Sequence, residues 1–171
     1  METVRDTPLT LLAARIAEDA HSGQVDKIGE PYFNHPQTVA YLVTTVPTFH
    51  ALSSEDREHA VAAAFLHDVL EDTSVTAEDM ASMGIPINVI DTVHTLTHPH
   101  QELRMDYYGR VRRNPIARIV KIADVAHNSS VDRLTLLDFD LQKRLIAKYN
   151  KASSVLLDTS EEASWFATVT A

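Results

Sequence analysis

The segment Ala62–Asp72, with the sequence AAAFLHDVLED, constrains the fold of this chain more than any other stretch. It is an apolar run that encloses His67 and Asp68 and ends on Glu71 and Asp72. Such a run predicts a buried helix, in which an uncompensated carboxylate would be costly. At about 100° per residue, the imidazole and the three carboxylates fall on one face and the apolar side chains on the other. We interpret the polar face as a cation-binding site; the alternative is an amphipathic helix whose acidic end faces solvent.

The composition predicts an all-α fold in a single domain. The chain has 171 residues and only four glycines, and apolar residues recur at helical spacing through most of it. We expect one domain over residues 1–171, with a frayed start at 1–6, a core at about 8–158 and a C-terminal tail at 159–171. Cysteine is absent, so a metal site would have to use His, Asp and Glu. The sequence has no signal-like or membrane-spanning stretch, which predicts a cytoplasmic protein without membrane contact.

The net charge of −9 argues against nucleic acid as a partner. Residues 101–121 depart from this balance, because they contain six cations and two acids. The cations are Arg104, Arg110, Arg112, Arg113, Arg118 and Lys121. This surplus indicates either a solvated basic face or a patch that attracts phosphate groups. Nothing in the sequence indicates an oligomeric state.

Capping residues and prolines mark the predicted helix starts. The expected helices span about residues 8–21, 36–43, 54–72, 77–84, 86–96, 102–111, 115–128 and 138–157. The central one is capped by Ser53 and runs without a break to Asp72. The tail after Thr159 has no clear pattern, and its Trp165-Phe166 pair is expected to dock on the core or on a partner.

Two further stretches carry polar residues in unusual places. His35 stands at the start of a helix, before a proline, where a ring nitrogen can point back toward a site. The apolar run Ile119–Asn128, IVKIADVAHN, contains Asp124, with Lys121 and Asn128 close to the same face. Asp124 is either a core carboxylate paired with Lys121 or a ligand of the cation expected at the central helix. We favour the second interpretation.

These residues resemble the H…HD…D motif of the HD-domain metal-dependent phosphohydrolases, in the order His35, His67-Asp68 and Asp124. Three longer segments resemble, more specifically, the hydrolase domain of the RelA/SpoT family and its small stand-alone alarmone hydrolases. They are AHSGQVDKIGEPYFNHP at residues 20–36, LHDVLEDT at 66–73 and KIADVAHN at 121–128. The resemblance spans about residues 9–157. It implies a compact all-helical HD-domain bundle, one bound Mn²⁺ per chain, and removal of the 3′-pyrophosphate from (p)ppGpp.

Residue roles follow from the resemblance position by position. The implied metal ligands are His35, His67, Asp68 and Asp124, and the implied acids that position or activate water are Glu71 and Asp72. The implied substrate contacts are Lys27, Lys121, Asn128 and Asp26. Asp26 departs from the family, in which this position is usually basic and contacts the base. We therefore expect weaker binding of (p)ppGpp or a preference for a less charged nucleotide.

Two alternatives to this function stay open. A set of two imidazoles and two carboxylates also suits Fe²⁺ or Zn²⁺, and the same centre can act on another phosphorylated nucleotide, such as a nucleoside monophosphate or NADPH. A non-catalytic module that binds a nucleotide signal is the alternative of a different class. The Glu71 and Asp72 pair argues against it, because binding alone would not need both acids.

Overall fold

The computed structural model describes residues 6–171, in which helices joined by loops make up the regular secondary structure. The expected frayed start at residues 1–6 lies outside the described residues, except for Asp6. The helices are α1 Pro8–Ala20, α2 Asn34–Val43, a 3₁₀ helix at Pro47–Ala51, α3 Ser54–Leu66, α4 Val69–Asp72, α5 Ala77–Ser82, α6 Ile87–Leu96, α7 Arg104–Arg112, α8 Pro115–Ser129, α9 Val131–Leu134, α10 Phe139–Leu156 and α11 Ser160–Thr170. Within residues 6–171 the β structure is limited to an isolated bridge between Val25 and Pro31. The predicted all-α class is confirmed.

Helices α3 and α8 form the centre of the bundle. Helix α3 packs against α1, α2, α6 and α8, and α8 also contacts α7, α10 and α11. Residues 59–66 of α3 are buried on every side, as expected for a central helix. None of the helices in residues 6–171 is both long and apolar enough to cross a bilayer.

The central helix ends at Leu66, and the prediction that it continues to Asp72 is wrong. His67 and Asp68 form a turn, after which α4 begins at Val69. The Nδ1 of His67 donates a hydrogen bond of 2.7 Å to the carbonyl oxygen of Ala64. In an uninterrupted helix that oxygen would accept from the backbone N–H of Asp68. The side chain thus competes with the backbone at this turn, which places His67 and Asp68 at a helix break.

The other helix starts agree with the capping signals, with small shifts. Thr7, Ser53 and Thr76 are N-caps whose hydroxyl oxygens accept from backbone N–H groups of the first turn. Helix α2 begins at Asn34, earlier than predicted, so Pro36 lies inside its first turn, where the missing N–H is not required. The sequence analysis missed α9 and α11.

The C-terminal tail forms α11 and docks on the core. Its Glu162 is fully buried and accepts two hydrogen bonds from the Arg118 guanidinium of α8, at 2.7 and 3.0 Å. Thr48 donates to the same carboxylate at 2.6 Å, and the backbone N–H of Asp158 donates at 2.8 Å. The Trp165 Nε1–H donates to the hydroxyl of a threonine that follows α2, at 3.1 Å. Helix α11 is therefore fastened to the core by a buried ion pair.

We expect Glu162→Gln to lower the free energy of unfolding by about 3–5 kcal/mol, because it leaves a buried guanidinium without its main counter-charge. The loss should fall toward the lower end of that range, since Asp158 lies 3.4 Å from Arg118 and compensates in part. Urea denaturation measures the change. Glu161→Gln is the matched control, because Glu161 is exposed and also in the first turn of α11.

The same pair predicts a pH dependence. Burial alone would raise the pKa of Glu162, but the hydrogen bonds from Arg118, Thr48 and Asp158 outweigh burial and lower the pKa to about 2. A lowered pKa contributes stability above the ordinary value of 4.5, and this contribution is lost as the pH falls toward 2. The difference in unfolding free energy between wild type and Glu162→Gln should therefore shrink from pH 5 to pH 2. A constant difference over that range would contradict this account.

Candidate metal and catalytic site

All the predicted site residues except the buried His67 line one pocket of about 310 Å³. Its walls come from the loop at residues 22–33, the start of α2, the break between α3 and α4, and from α7, α8 and α10. The loop turns at Gly23 and Gly29, whose φ angles of 78° and 87° suit glycine. His35, Asp68 and Asp124 lie at the bottom of the pocket, beside the buried ring of His67.

Both imidazoles are held so that their Nε2 atoms meet. His67 uses its Nδ1–H on Ala64, which leaves a lone pair on its Nε2. The Nδ1 of His35 lies 2.7 Å from the Nδ1 of His127. Burial, and then the neighbouring His35, lower the pKa of His127 to about 3, so His127 is neutral. With His35 as the donor in this contact, its Nε2 also carries a lone pair, 3.1 Å from the Nε2 of His67.

The donor atoms are spaced as a cation would require. Asp68 Oδ2 lies 3.0 Å from His67 Nε2 and 3.6 Å from His35 Nε2. Asp124 Oδ1 lies 3.3 Å from His35 Nε2 and 3.9 Å from His67 Nε2. Bonds of about 2.0–2.2 Å to nitrogen and oxygen ligands place adjacent ligand atoms about 3 Å apart. Two lone pairs and two carboxylate oxygens at these distances repel one another unless a positive charge lies among them, so the set fits a metal ion.

The protonation of the set leads to the same conclusion. Burial alone would lower the pKa of His67, but the Asp68 and Asp124 carboxylates outweigh it and raise the pKa to about 9. Burial has the opposite effect on a carboxylate and raises the pKa of Asp68. The rings of His67 and His35 more than offset burial, so the pKa of Asp68 is lowered. Without a metal, the cluster therefore holds a proton as its compensating charge. A metal ion would replace that proton.

Asp124 differs from the other three members in forming an ion pair with a lysine. His35, His67 and Asp68 offer ligand atoms that all lie within 4.8 Å of one another, and Asp124 lies beside this group. Its Oδ2 is 2.7 Å from Lys121 Nζ, and its Oδ1 accepts from Asn128 Nδ2 at 2.6 Å. Burial raises the pKa of Asp124, but the Lys121 ammonium beside it holds the pKa well below its usual range. Asp124 thus pairs with Lys121, as one interpretation of its sequence pattern predicts, and it also lies 3.3 Å from His35 Nε2. Its role as a metal ligand stays a prediction.

The two predicted acids lie at the rim of the pocket, on α4. The Glu71 carboxylate accepts a hydrogen bond of 3.0 Å from the backbone N–H of His98. The Asp72 carboxylate is 3.3 Å from the hydroxyl of Tyr32. Burial, and then the negative charges of Asp68 and Glu71, raise the pKa of Asp72. Asp72 therefore binds a proton more readily than an ordinary aspartate.

Tyr32 connects the loop at residues 22–33 to the cluster, and the sequence analysis missed it. Its hydroxyl donates to Asp68 Oδ2 at 2.6 Å. Burial and the Asp68 charge raise its pKa, so the hydroxyl stays a donor. The segment GEPYFNHP at residues 29–36 contained a signal for this role. Tyr32 precedes His35 by three residues, close to the start of α2.

We expect Tyr32→Phe to weaken metal binding about 10- to 100-fold, as is typical when a group that orients a metal ligand is lost. The variant keeps the ring that packs against His21 and His35 and removes only the hydroxyl. Calorimetric titration with Mn²⁺ measures the affinity. Tyr41→Phe, on the exposed side of α2, is the control and should bind the metal as the wild type does.

Three of the four predicted substrate contacts are engaged by protein groups. Lys121 and Asn128 both contact Asp124. Asp26 accepts from the backbone N–H groups of Ile28 and Glu30, each at 3.0 Å. Its other oxygen pairs with Arg133 at 2.8 Å. The negative charge of Asp26 is therefore compensated by an arginine of α9 that also lines the pocket, a contact the sequence analysis missed.

Lys27 is the fourth predicted contact, and it lines the pocket. Arg104 and Lys148 line it too, from α7 and α10. The sequence analysis had counted Arg104 in the cationic surplus but had not considered Lys148. The sequence contained a signal for the position of Lys148. It follows Leu145 by three residues on α10, so it borders the face that α10 turns toward the core.

A family model of the HD domain matches residues 11–129. The match covers well over half of the chain, and the chain belongs to the HD-domain family. HD domains are metal-dependent, and His35, His67 and Asp68 of this chain offer donor atoms for one metal ion.

The curated relatives are bacterial proteins much longer than this chain. A guanosine-3′,5′-bis(diphosphate) 3′-pyrophosphohydrolase of Haemophilus influenzae is 33% identical over 123 residues, which is 66% of this chain and 17% of the relative. A probable enzyme of the same name from Synechocystis is 28% identical over 155 residues, 84% of this chain and 19% of the relative. The chain thus spans less than a fifth of the length of these relatives.

A solved structure is similar over nearly the whole chain. It is described as a metazoan ortholog of SpoT that hydrolyzes ppGpp and plays a role in starvation responses. The TM-score is 0.74 at 19% sequence identity, covering 95% of this chain and 94% of that one. The similarity extends past the residues matched by the family model and confirms the helical HD fold.

Proposed function

We propose that this chain is a metal-dependent phosphohydrolase that removes the 3′-pyrophosphate from (p)ppGpp. The observation that carries the proposal is the cluster of His35, His67 and Asp68, whose donor atoms converge at the bottom of a pocket with a cationic wall. Two carboxylates, Glu71 and Asp72, stand beside it. The names of the relatives support the choice of substrate.

Different residues of the chain are assigned to metal binding and to proton transfer. His35, His67, Asp68 and Asp124 would hold the metal ion, which would supply an acidified water molecule and charge neutralisation at the phosphorus. Glu71 accepts the proton that this water loses when it attacks the 3′-pyrophosphate. Asp72, with its raised pKa, is suited to give a proton to the departing oxygen when the P–O bond breaks. The products are GDP or GTP and pyrophosphate, so one water is consumed for each bond cleaved.

Several groups hold this arrangement in place. Tyr32 fixes Asp68, His127 fixes His35, and Lys121 with Asn128 fixes Asp124. Lys27 and Arg133 are the cations at the pocket mouth that we assign to the nucleotide, with Asp26 orienting Arg133. We also propose that Lys121 and Asn128 contact the substrate through the face they present to the pocket.

Mn²⁺ is the ion we propose, one per chain. Two imidazole nitrogens and two carboxylate oxygens form a mixed set that suits Mn²⁺, and Fe²⁺ or Zn²⁺ are the alternatives. A cytoplasmic location and the absence of nucleic-acid and membrane partners remain predictions from the sequence.

The test is incubation of the purified protein with ppGpp and with a panel of nucleotides that includes nucleoside monophosphates and NADPH, with and without Mn²⁺. We expect GDP and pyrophosphate from ppGpp, only when metal is present. Preferential release of phosphate from another member of the panel would mean that this nucleotide, and not ppGpp, is the substrate of the same hydrolytic reaction. Saturable binding of ppGpp without turnover under any metal would favour the non-catalytic sensor.

A further inference from the structure

A second groove, between α7 and α10, opens beside the catalytic pocket. It has a volume of about 500 Å³. We call it the α7–α10 groove and define it by its lining residues. These are Leu103, Arg104, Met105, Tyr108, Arg144, Ala147, Lys148 and Lys151.

The charged side chains of this groove are all cations. They are Arg104, Arg144, Lys148 and Lys151, and no carboxylate lines the groove. Among the ion pairs of residues 6–171, none involves these four side chains. The chain as a whole carries a net charge of −9, so a concentration of unpaired positive charge here is a local feature. A concave surface with one sign of charge attracts ligands of the opposite sign.

The groove is continuous with the catalytic pocket. Arg104, Tyr108 and Lys148 line both cavities. Lys148 is half-buried; burial lowers its pKa, and the positive charges of Lys121 and Arg104 lower it further. These cations are thus close enough to repel one another. An anion that reached from the catalytic pocket into the groove would relieve this repulsion.

We propose that the α7–α10 groove is an anion-binding extension of the active site, which holds the phosphates of the substrate that lie farthest from the reacting phosphorus. For (p)ppGpp these are the 5′-phosphates. The inference rests on the proposed function and deepens it, because it names the residues that make the enzyme sensitive to the charge of the 5′ end. Arg144 and Lys151 contact only the distal part of the substrate, while Arg104 and Lys148 bridge the two cavities.

The first test uses the double variant Arg144→Ala/Lys151→Ala, which leaves every residue of the catalytic pocket intact. The substrates are pGpp, ppGpp and pppGpp, which differ only in the number of 5′-phosphates. We expect kcat/KM of the wild type to rise along this series and the rise to be lost in the variant. The KM for pppGpp should increase about 3- to 10-fold, the scale of two partly exposed charge contacts, with kcat unchanged. The effect should shrink at high salt.

A matched control removes the same charge elsewhere. Arg15→Ala/Lys143→Ala takes two exposed cations from positions outside the groove. An equal loss in this control would mean that net charge alone sets the affinity, and it would overturn the proposal. A series that keeps its full dependence on 5′-phosphates in Arg144→Ala/Lys151→Ala would overturn it as well.

A binding arm separates this proposal from the proposed function. GMP, GDP and GTP lack the 3′-pyrophosphate and differ in their 5′-phosphates, and calorimetry measures their binding without turnover. Affinity that rises along this series in the wild type and is flat in Arg144→Ala/Lys151→Ala supports the groove even when no alarmone is hydrolysed. If ppGpp is hydrolysed but the variant keeps the same rise in affinity from GMP to GTP, the proposed hydrolase function stands and the proposed role of the groove is wrong.

Discussion

Asp68→Asn is expected to abolish stoichiometric metal binding and, with it, detectable turnover. Asparagine keeps the shape and can still accept from the Tyr32 hydroxyl, so the change removes the charge with little effect on packing. Loss of a ligand should cost more than the 10- to 100-fold that is typical for loss of an outer partner. Elemental analysis of protein prepared without chelator should give about one transition-metal ion per wild-type chain and a small fraction of that in the variant.

A stability measurement gives an independent readout of the same change. A metal present at about 100 times its dissociation constant stabilises the wild type by about 2.7 kcal/mol, and Asp68→Asn should lose this increment. Asp91→Asn, on the exposed side of α6, is the control. Full metal content in Asp68→Asn would exclude Asp68 as a ligand.

The metal affinity itself should depend on pH. Because the pKa of His67 is raised to about 9 in the metal-free cluster, a proton competes with the metal at neutral pH. Affinity should therefore rise between pH 6 and pH 9, and calorimetry in buffers of different ionisation enthalpy should detect proton release.

Glu71→Gln is expected to lower kcat by about 10²–10⁴-fold while the metal stays bound. Glu71 lies outside the donor cluster, and a glutamine oxygen can still accept from the His98 N–H. The variant therefore removes the proton acceptor and leaves the local structure in place. Steady-state kinetics with ppGpp and elemental analysis of the same sample check both halves of the expectation.

The control for this variant is Glu78→Gln, an exposed acid on α5. Near-normal kcat in Glu71→Gln would show that another group takes the proton. Asp72 is the group to examine next, because its raised pKa suits proton transfer.

Local signals in the sequence predicted most of the helical framework. The N-caps at Thr7, Ser53 and Thr76 use side chains a few residues from the groups they satisfy, so their pattern is visible in a short window. The break after Leu66 was missed because hydrophobic spacing continues through it. It depends on the His67 ring bonding the Ala64 carbonyl, and spacing carries no information about that choice.

The features that the sequence did not predict depend on contacts between residues that are distant in sequence. Arg118 and Glu162 are 44 positions apart, and Asp26 and Arg133 are 107 apart, so neither pair is visible in any local pattern. The convergence of His35, His67 and Asp68 was predictable because buried His and Asp side chains on one helix need a compensating charge. The nucleotide contacts stay predictions, because a lysine or asparagine serves a ligand or a neighbouring carboxylate equally well, and Lys121 and Asn128 both contact Asp124.

The buried ion pair between α8 and α11 also bears on where this chain can be truncated. A fragment made to the bounds of the HD-domain match, residues 11–129, retains Arg118 and the four predicted metal ligands but loses Glu162. The guanidinium would then sit against an opened apolar surface on the same helix that carries Asp124. We therefore expect a fragment of residues 11–129 to be less stable than the whole chain, because α11 supplies the counter-charge buried against the helix that carries Asp124.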